Sequence, residues 1–317
     1  GDAVVGFVRQ RGVRVVAGAP VCARERLEAV VREWEASDPA SPVCYFAAER
    51  RLYGVLSGRD THSHVVLGAQ PVWAPDSWAR AWDADPGLRA QGARARNKGV
   101  RVVEMASSEA ARDPGLRRCL DAWLATRGLP PLHFLVEPQT WNRLDDCRVF
   151  VARRDGVAVG FVTQSPIPQR RGWLTEQFVR GAGAPNGTVE AMLDAAARAV
   201  GADGARMVTM GMAPLAFRGF DAPGGNPLWL RTTLAWARAH GRRFYRFDGL
   251  EAFKAKFHPE YWEPIYAIST GPRFAPRNLA AIAAAFTSGH PAAALARGLG
   301  RALAQEARTL LGIMPSP

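Results

Sequence analysis

The apolar and polar positions divide the chain into short alternating runs and longer stretches of helical period. Near the start, GFVRQRGVRVVAGAP reads as two strand-like runs meeting at Arg11-Gly12. ARERLEAVVREWEA (residues 23–36) places Leu27, Val30, Val31 and Trp34 on one face of a helix. VCYFAAERRLYGVL and HSHVVLGAQPVW read as further strands. Residues 76–98 keep a helical period broken at Pro86-Gly87. VRVVEM (100–105) predicts a strand, and ARDPGLRRCLDAWLATRG predicts a helix ending at Gly128.

The second half is patterned more cleanly. VFVARRDGVAVGFVTQSP predicts a hairpin around Asp155-Gly156. WLTEQFVR predicts a strand, and TVEAMLDAAARAVGADG a helix with a glycine stop. ARMVTMGMAPL is a strand running into a loop, PLWLRTTLAWARAHG a helix and FYRFDG a short strand. GLEAFKAKF is a short helix or turn, and EPIYAIS a last strand. The order β-β-β-α-β-α-β-α-β predicts an α/β (α+β) architecture. The first half shows a looser version of that order, with no detectable sequence repeat. The expected division is an N-terminal unit over 1–140, a second unit over 141–272 and a helical tail over 273–317.

Composition narrows the class. At 317 residues and 48% hydrophobic content, each unit can bury a core. No run of 18 apolar residues predicts a membrane span. The chain opens on Gly1 with no secretory leader, so we expect a trimmed chain that lacks an N-terminal membrane region. Cys22, Cys44, Cys119 and Cys147 are widely spaced and read as reduced thiols. His62 and His64 alternate onto one strand face, with no third metal ligand in view. The net charge of +12 favours a polyanionic partner, nucleic acid or an anionic membrane. The plainer reading of that charge is arginine enrichment from genome composition, which the Arg-, Ala- and Gly-rich usage fits. In the tail, Leu295, Leu299, Leu303 and Leu310 fall on one side of a helix, opposite Arg297, Arg301 and Arg308. That pattern suits a core helix or a membrane surface.

Lysine usage singles out one segment. Of 41 basic residues only Lys98, Lys254 and Lys256 are lysines, and two of these sit in GLEAFKAKFHP. A lysine is a rotatable point charge suited to one phosphate or a developing oxyanion, and arginine's planar fork does not replace it. An extended segment would put both on one face. A helical one would separate them by about 200°, so that only one enters a site. Gly211, Ala213 and Pro214 in MGMAPL form a strand-to-loop corner where backbone approaches a ligand or merely turns.

MGMAPL followed by GLEAFKAKFHPEYWEPIYAI resembles the C-terminal catalytic domain of bacterial phosphatidylglycerol lysyltransferases and alanyltransferases. LRAQGARARNKGVRV, CLDAWLATRG and EQFVRGAGAPNGTVEAML extend the resemblance. VVAGAPVC does so too, with Ala19 where the family has an acidic residue. It covers about residues 10–270. The resemblance implies tandem acetyltransferase-like (GNAT) domains. It also implies transfer of an amino acid from aminoacyl-tRNA to a lipid hydroxyl such as that of phosphatidylglycerol, or to a related acceptor, at the inner face of the bacterial membrane. The tRNA ester is already activated, so no cofactor or metal is expected. Lys254, Lys256 and Arg180 are the implied catalytic residues. Glu176, Gln177, Gly211, Met212, Ala213, Pro214, Asp248 and Glu251 are the implied substrate contacts. Gln177 stands where the family has aspartate, with Glu176 one position out of phase, so lysine as the transferred amino acid does not follow. Asp248 and Glu251 are candidates for the acidic role, against the plainer reading of a solvated helix start. The alternative is an acyl-coenzyme-A-dependent N-acyltransferase on the same fold. In its pyrophosphate loop this chain has Pro185, which lacks an N–H to donate.

Overall fold

The computed structural model describes residues 2–125, 134, 144–216, 218, 225–240 and 247–287. The strands are β1 (Phe7–Gln10), β2 (Val13–Ala17), β3 (Val43–Ala48), β4 (His62–Trp73), β5 (Val100–Met105), β6 (Arg148–Arg154), β7 (Val157–Ile167), β8 (Gly172–Arg180), β9 (Met207–Thr209), β10 (Ala213–Pro214) and β11 (Tyr261–Thr270). They form one 11-stranded sheet in the order β1-β2-β3-β11-β4-β9-β8-β7-β6-β5, with β10 also on β4. Only β2–β3 and β8–β9 are parallel among these pairs. The architecture is the mixed α/β one that the pattern predicts.

The helices are α1 (Leu27–Ala36), α2 (Arg50–Leu56), α3 (Pro75–Ala84), α4 (Pro86–Asn97), α5 (Ser107–Ala110), α6 (Pro114–Ala125), α7 (Thr188–Ala202), α8 (Leu228–His240), α9 (Phe247–Ala255) and α10 (Pro276–Phe286). Four of them, α3, α4, α6 and α10, begin on proline, whose missing N–H would be unpaired there anyway. The hairpins turn where expected: Arg11-Gly12 and Asp155-Gly156 both have positive φ, as the right-handed twist of the flanking strands requires.

Several expectations change. RRLYGVL is not a strand but α2, with Leu52 and Leu56 one turn apart and buried. Seven residues give helical period too little length to show. Phe247, Asp248 and Gly249, read as the end of a strand, open α9, while the rest of FYRFDG lies outside the described residues. Gly128 and the tail leucines also lie outside them.

A cut at residue 140 does not divide the sheet. β5, from before the cut, pairs with β6, and β11, from after it, lies between β3 and β4. Helices α3 and α4 pack on α7, where Trp73, Trp78, Trp82, Met192 and Phe257 share one core. The first part of the tail is core as well, since Phe274, Ala281, Ile282 and Ala285 of the α10 region pack with Val13, Val15 and Leu67. The physical reason is the demand for sheet edges: each half completes its pairing with a strand that the chain supplies from the other side of the cut.

Cys22, Cys44 and Cys119 are buried free thiols and Cys147 is half-buried. His62 Nε2 bonds Glu35 at 3.0 Å, and the His64 ring meets Tyr53 edge-on. No group of three or more potential metal ligands occurs among the described residues, and no described helix is long and apolar enough to cross a membrane.

Candidate functional site

Where β8 and β9 part, the sheet opens. They pair at Gly172↔Met207, Trp173↔Val208 and Leu174↔Thr209, and the chain then leaves β9. On its other edge β9 meets β4 at Val72 and Trp73, and β10 resumes on β4 at Ala69 and Gly68. Residues 210–212 therefore bulge out between two short strands. Gly211 takes φ +68°, and Thr209 holds the turn, its hydroxyl donating to the Pro71 carbonyl at 2.7 Å and accepting from the Gly211 N–H at 3.1 Å.

Lys254 closes this bulge. Its ammonium donates to the carbonyls of Met210, Gly211 and Met212 at 2.8, 2.8 and 3.0 Å, spending all three N–H groups. The residue is 2% exposed, and burial pulls its pKa down from the usual lysine value to about 7. Met212, Ala213 and Pro214 of the expected corner are thus backbone held by this lysine and by β4. The lysine touches the main chain of the corner rather than an open space.

Lys256 goes elsewhere. The segment is helical, so the two lysines diverge. Lys256 Nζ bonds Glu190 Oε1 at 2.5 Å and lies 4.3 and 5.0 Å from the ring centroids of Phe253 and Phe257. Those rings hold the cation by their electron-rich faces. Phe257 is itself fixed, its ring stacked on Trp78 and its carbonyl accepting the Trp73 indole N–H at 2.8 Å.

Glu190 lies in the first turn of α7 and lines a cavity of about 350 Å³ with Gln91, Arg94, Arg180, Asn186 and Phe253. Arg180, the last residue of β8, donates to the Ala184 carbonyl at 3.0 Å and to Asn186 Oδ1 at 3.0 Å, shaping the loop before the helix. Gly187 has φ +90°, and a Cβ there would stand 2.0 Å from the Gln91 carbonyl, so α4 and the start of α7 touch through a glycine. Two guanidinium groups and the positive end of a 15-residue helix face this cavity, with Lys256 behind Glu190.

The expected acids are engaged in ion pairs. Glu251 pairs with Arg238 at 3.2 Å and Arg218 at 3.6 Å, and Asp248 pairs with Arg238. Arg238 also donates to the Leu215 carbonyl. These groups tie α8 and α9 to the end of the 210–214 corner. Glu176 and Gln177 sit at a bulge, because Thr163 faces Gln177 and Gln164 faces Thr175, leaving Glu176 as the extra residue. Strict alternation fails there, and so does the phase argument that set the two residues on opposite faces. Glu176 is exposed and Gln177 half-buried.

The structure thus gathers Arg180 and Lys256 at the mouth of α7, and Lys254 with residues 210–214 at the splayed strands. Sequence reasoning missed Gln91, Arg94 and Glu190. Arg94 lies in LRAQGARARNKGVRV, but period alone does not say which arginine of that segment faces α7. Glu190, three residues past Gly187, carried the signal of an acid at a helix start.

No curated protein sequence matches this chain. Among solved structures it is similar to the C-terminal domain of a putative lysylphosphatidylglycerol synthetase from Agrobacterium fabrum. That match has 21% identity and a TM-score of 0.74, covering 91% of this chain and 87% of the other. The structure of L-PGS from Bacillus licheniformis gives 21% identity, 90% and 85% coverage and a TM-score of 0.72. A structure of FemX is more distant, with 9% identity, 84% and 83% coverage and a TM-score of 0.55. These likenesses fix the fold. The family model described as phosphatidylglycerol lysyltransferase, C-terminal, matches residues 1–269, and this chain therefore belongs to that family.

Proposed function

We propose that the chain moves an aminoacyl group from aminoacyl-tRNA to a hydroxyl of an anionic lipid such as phosphatidylglycerol, at the inner face of the membrane. The observation that carries the reading is the cavity at the start of α7, lined by Arg94 and Arg180 beside the Lys256–Glu190 pair. The acceptor oxygen attacks the ester carbonyl carbon, the bond to the ribose oxygen breaks, and the acceptor's proton ends on that ribose oxygen. No redox step or nucleotide triphosphate enters the balance. Arg180 and Lys256 supply positive charge for an RNA phosphate or the developing oxyanion. The Glu190 carboxylate offers a partner to the ammonium that every aminoacyl ester carries. Lys254 acts at one remove as a positioning residue, holding the 210–212 bulge that walls the strand opening.

The coenzyme-A alternative is disfavoured by the loop itself. The Ala184 N–H is spent on the Gly181 carbonyl at 3.1 Å and that of Thr188 on the Pro185 carbonyl at 3.3 Å, while Pro185 has none. A pyrophosphate cradle needs those donors free. The deciding experiment incubates the protein with a labelled mixed aminoacyl-tRNA pool and phosphatidylglycerol vesicles, then counts label in the organic phase. Label there, reduced about 10²-fold or more in Arg180→Ala or Lys256→Ala, supports the reading. Label that never enters the lipid, or variants that turn over like the parent, overturns it.

A further inference from the structure

The cavity does not end at Arg94. On α4, Gln91, Arg94 and Lys98 follow at spacings of three and four residues and so form one ridge, with Arg94 and Lys98 about 6 Å apart along the axis. The ridge is fixed to the cavity by the backbone contact between Gln91 and Gly187. At its far end Lys98 closes the helix, and the side chain of Arg154 reaches the neighbouring Gly99. Arg94 and Lys98 are exposed, and among the described residues neither is paired to a carboxylate. Many other arginines of this chain are: Arg148 holds Glu104 and Asp203, Arg153 holds Asp113, and Arg198 holds Asp83 and Asp194.

Free cations in a line leading into a cationic cavity suit a partner whose charges also come in a line. We propose that the Gln91–Arg94–Lys98 ridge is the track along which the single-stranded 3′ end of an RNA enters the cavity, its phosphates meeting Lys98, Arg94 and Arg180 in turn. This rests on the reading above that the donor is a tRNA. A bilayer is the poorer partner for this face, because the ridge carries no exposed large apolar side chain, whereas Leu228 and Trp236 of α8 do protrude elsewhere.

The test uses the whole chain and two RNA hairpins, one with a single-stranded 3′ overhang and one blunt, with binding measured as a function of salt. The wild type is expected to prefer the overhang. Arg94→Ala with Lys98→Ala should abolish that preference and lower the slope of log affinity against log salt by about 1.4, or roughly 0.7 for each single-strand phosphate that is no longer neutralised. A charge-matched control, Arg231→Ala with Arg277→Ala, should leave the preference intact. Both ridge residues are exposed, so folding is checked by melting alone. If the wild type binds the overhang and the ridge variant binds it equally well, the track is wrong while the tRNA reading stands. If the wild type binds neither hairpin, both fall. If the ridge variant instead loses binding to phosphatidylglycerol vesicles and keeps its RNA preference, the face belongs to lipid and the proposal is overturned.

Discussion

Lys254 is a buried ammonium whose charge is opposed by desolvation and favoured by three carbonyls. Its folded pKa is about 7, below the value of an unfolded lysine. Between those two values the unfolded chain holds a proton that the folded chain has released, so stability rises with pH across that window and the penalty is constant below it. The difference in melting temperature between wild type and Lys254→Met should therefore shift in favour of the wild type as pH goes from 7 to 10, and parallel curves would contradict the assignment. Lys254→Arg should restore neither stability nor transfer, because a flat fork cannot point at three successive carbonyls. The sequence showed that this segment was special through its lysines. It did not show that one lysine grips backbone and the other a glutamate, because that depends on helical phase and on what packs around the helix.

At the scale of elements, the start of α7 depends on a close approach that only glycine allows. Gly187→Ala forces a Cβ against the Gln91 carbonyl at positive φ, and should cost about 1–3 kcal/mol. For a chain of 317 residues that lowers the melting midpoint by roughly 1–2 °C per kcal/mol. Gly183→Ala, in the same loop with nothing within 4 Å of its Cβ, should leave the midpoint unchanged. Equal midpoints for the two variants would show that α4 does not brace the cavity. Most elements here were legible. Alternation predicted β6 to β8, helical period predicted α1, α7 and α8, and turn chemistry predicted the hairpin at Asp155-Gly156. Two things were not. The seven residues of α2 are too few to declare a period, and the extra residue at Glu176 sits inside a run whose composition is that of an ordinary strand.

At the scale of the molecule, the sheet joins what the chain order separates. A fragment of residues 141–272 would carry β11 without β3 and β4, β9 without β4, and β6 without β5. We expect that fragment to be aggregated or unstructured by circular dichroism and the 1–287 chain to unfold in one transition, with fluorescence and circular dichroism coinciding. A soluble 141–272 fragment with native-like strand content would refute this. Strand order of this kind is not written in local pattern, because each strand reads the same whichever neighbours it takes.

The place of β11 bears on how the protein is made. β3 and β4 are complete within the first 73 residues, yet the strand between them arrives only at 261–270. During synthesis both must wait, their facing edges open, while almost 190 further residues leave the ribosome at roughly 5–20 per second. For about 10 to 40 seconds the N-terminal strands expose unpaired backbone to any other extended chain. A nascent polypeptide with this layout is a client for holdase chaperones, and slowing translation after residue 73 should raise aggregation instead of lowering it.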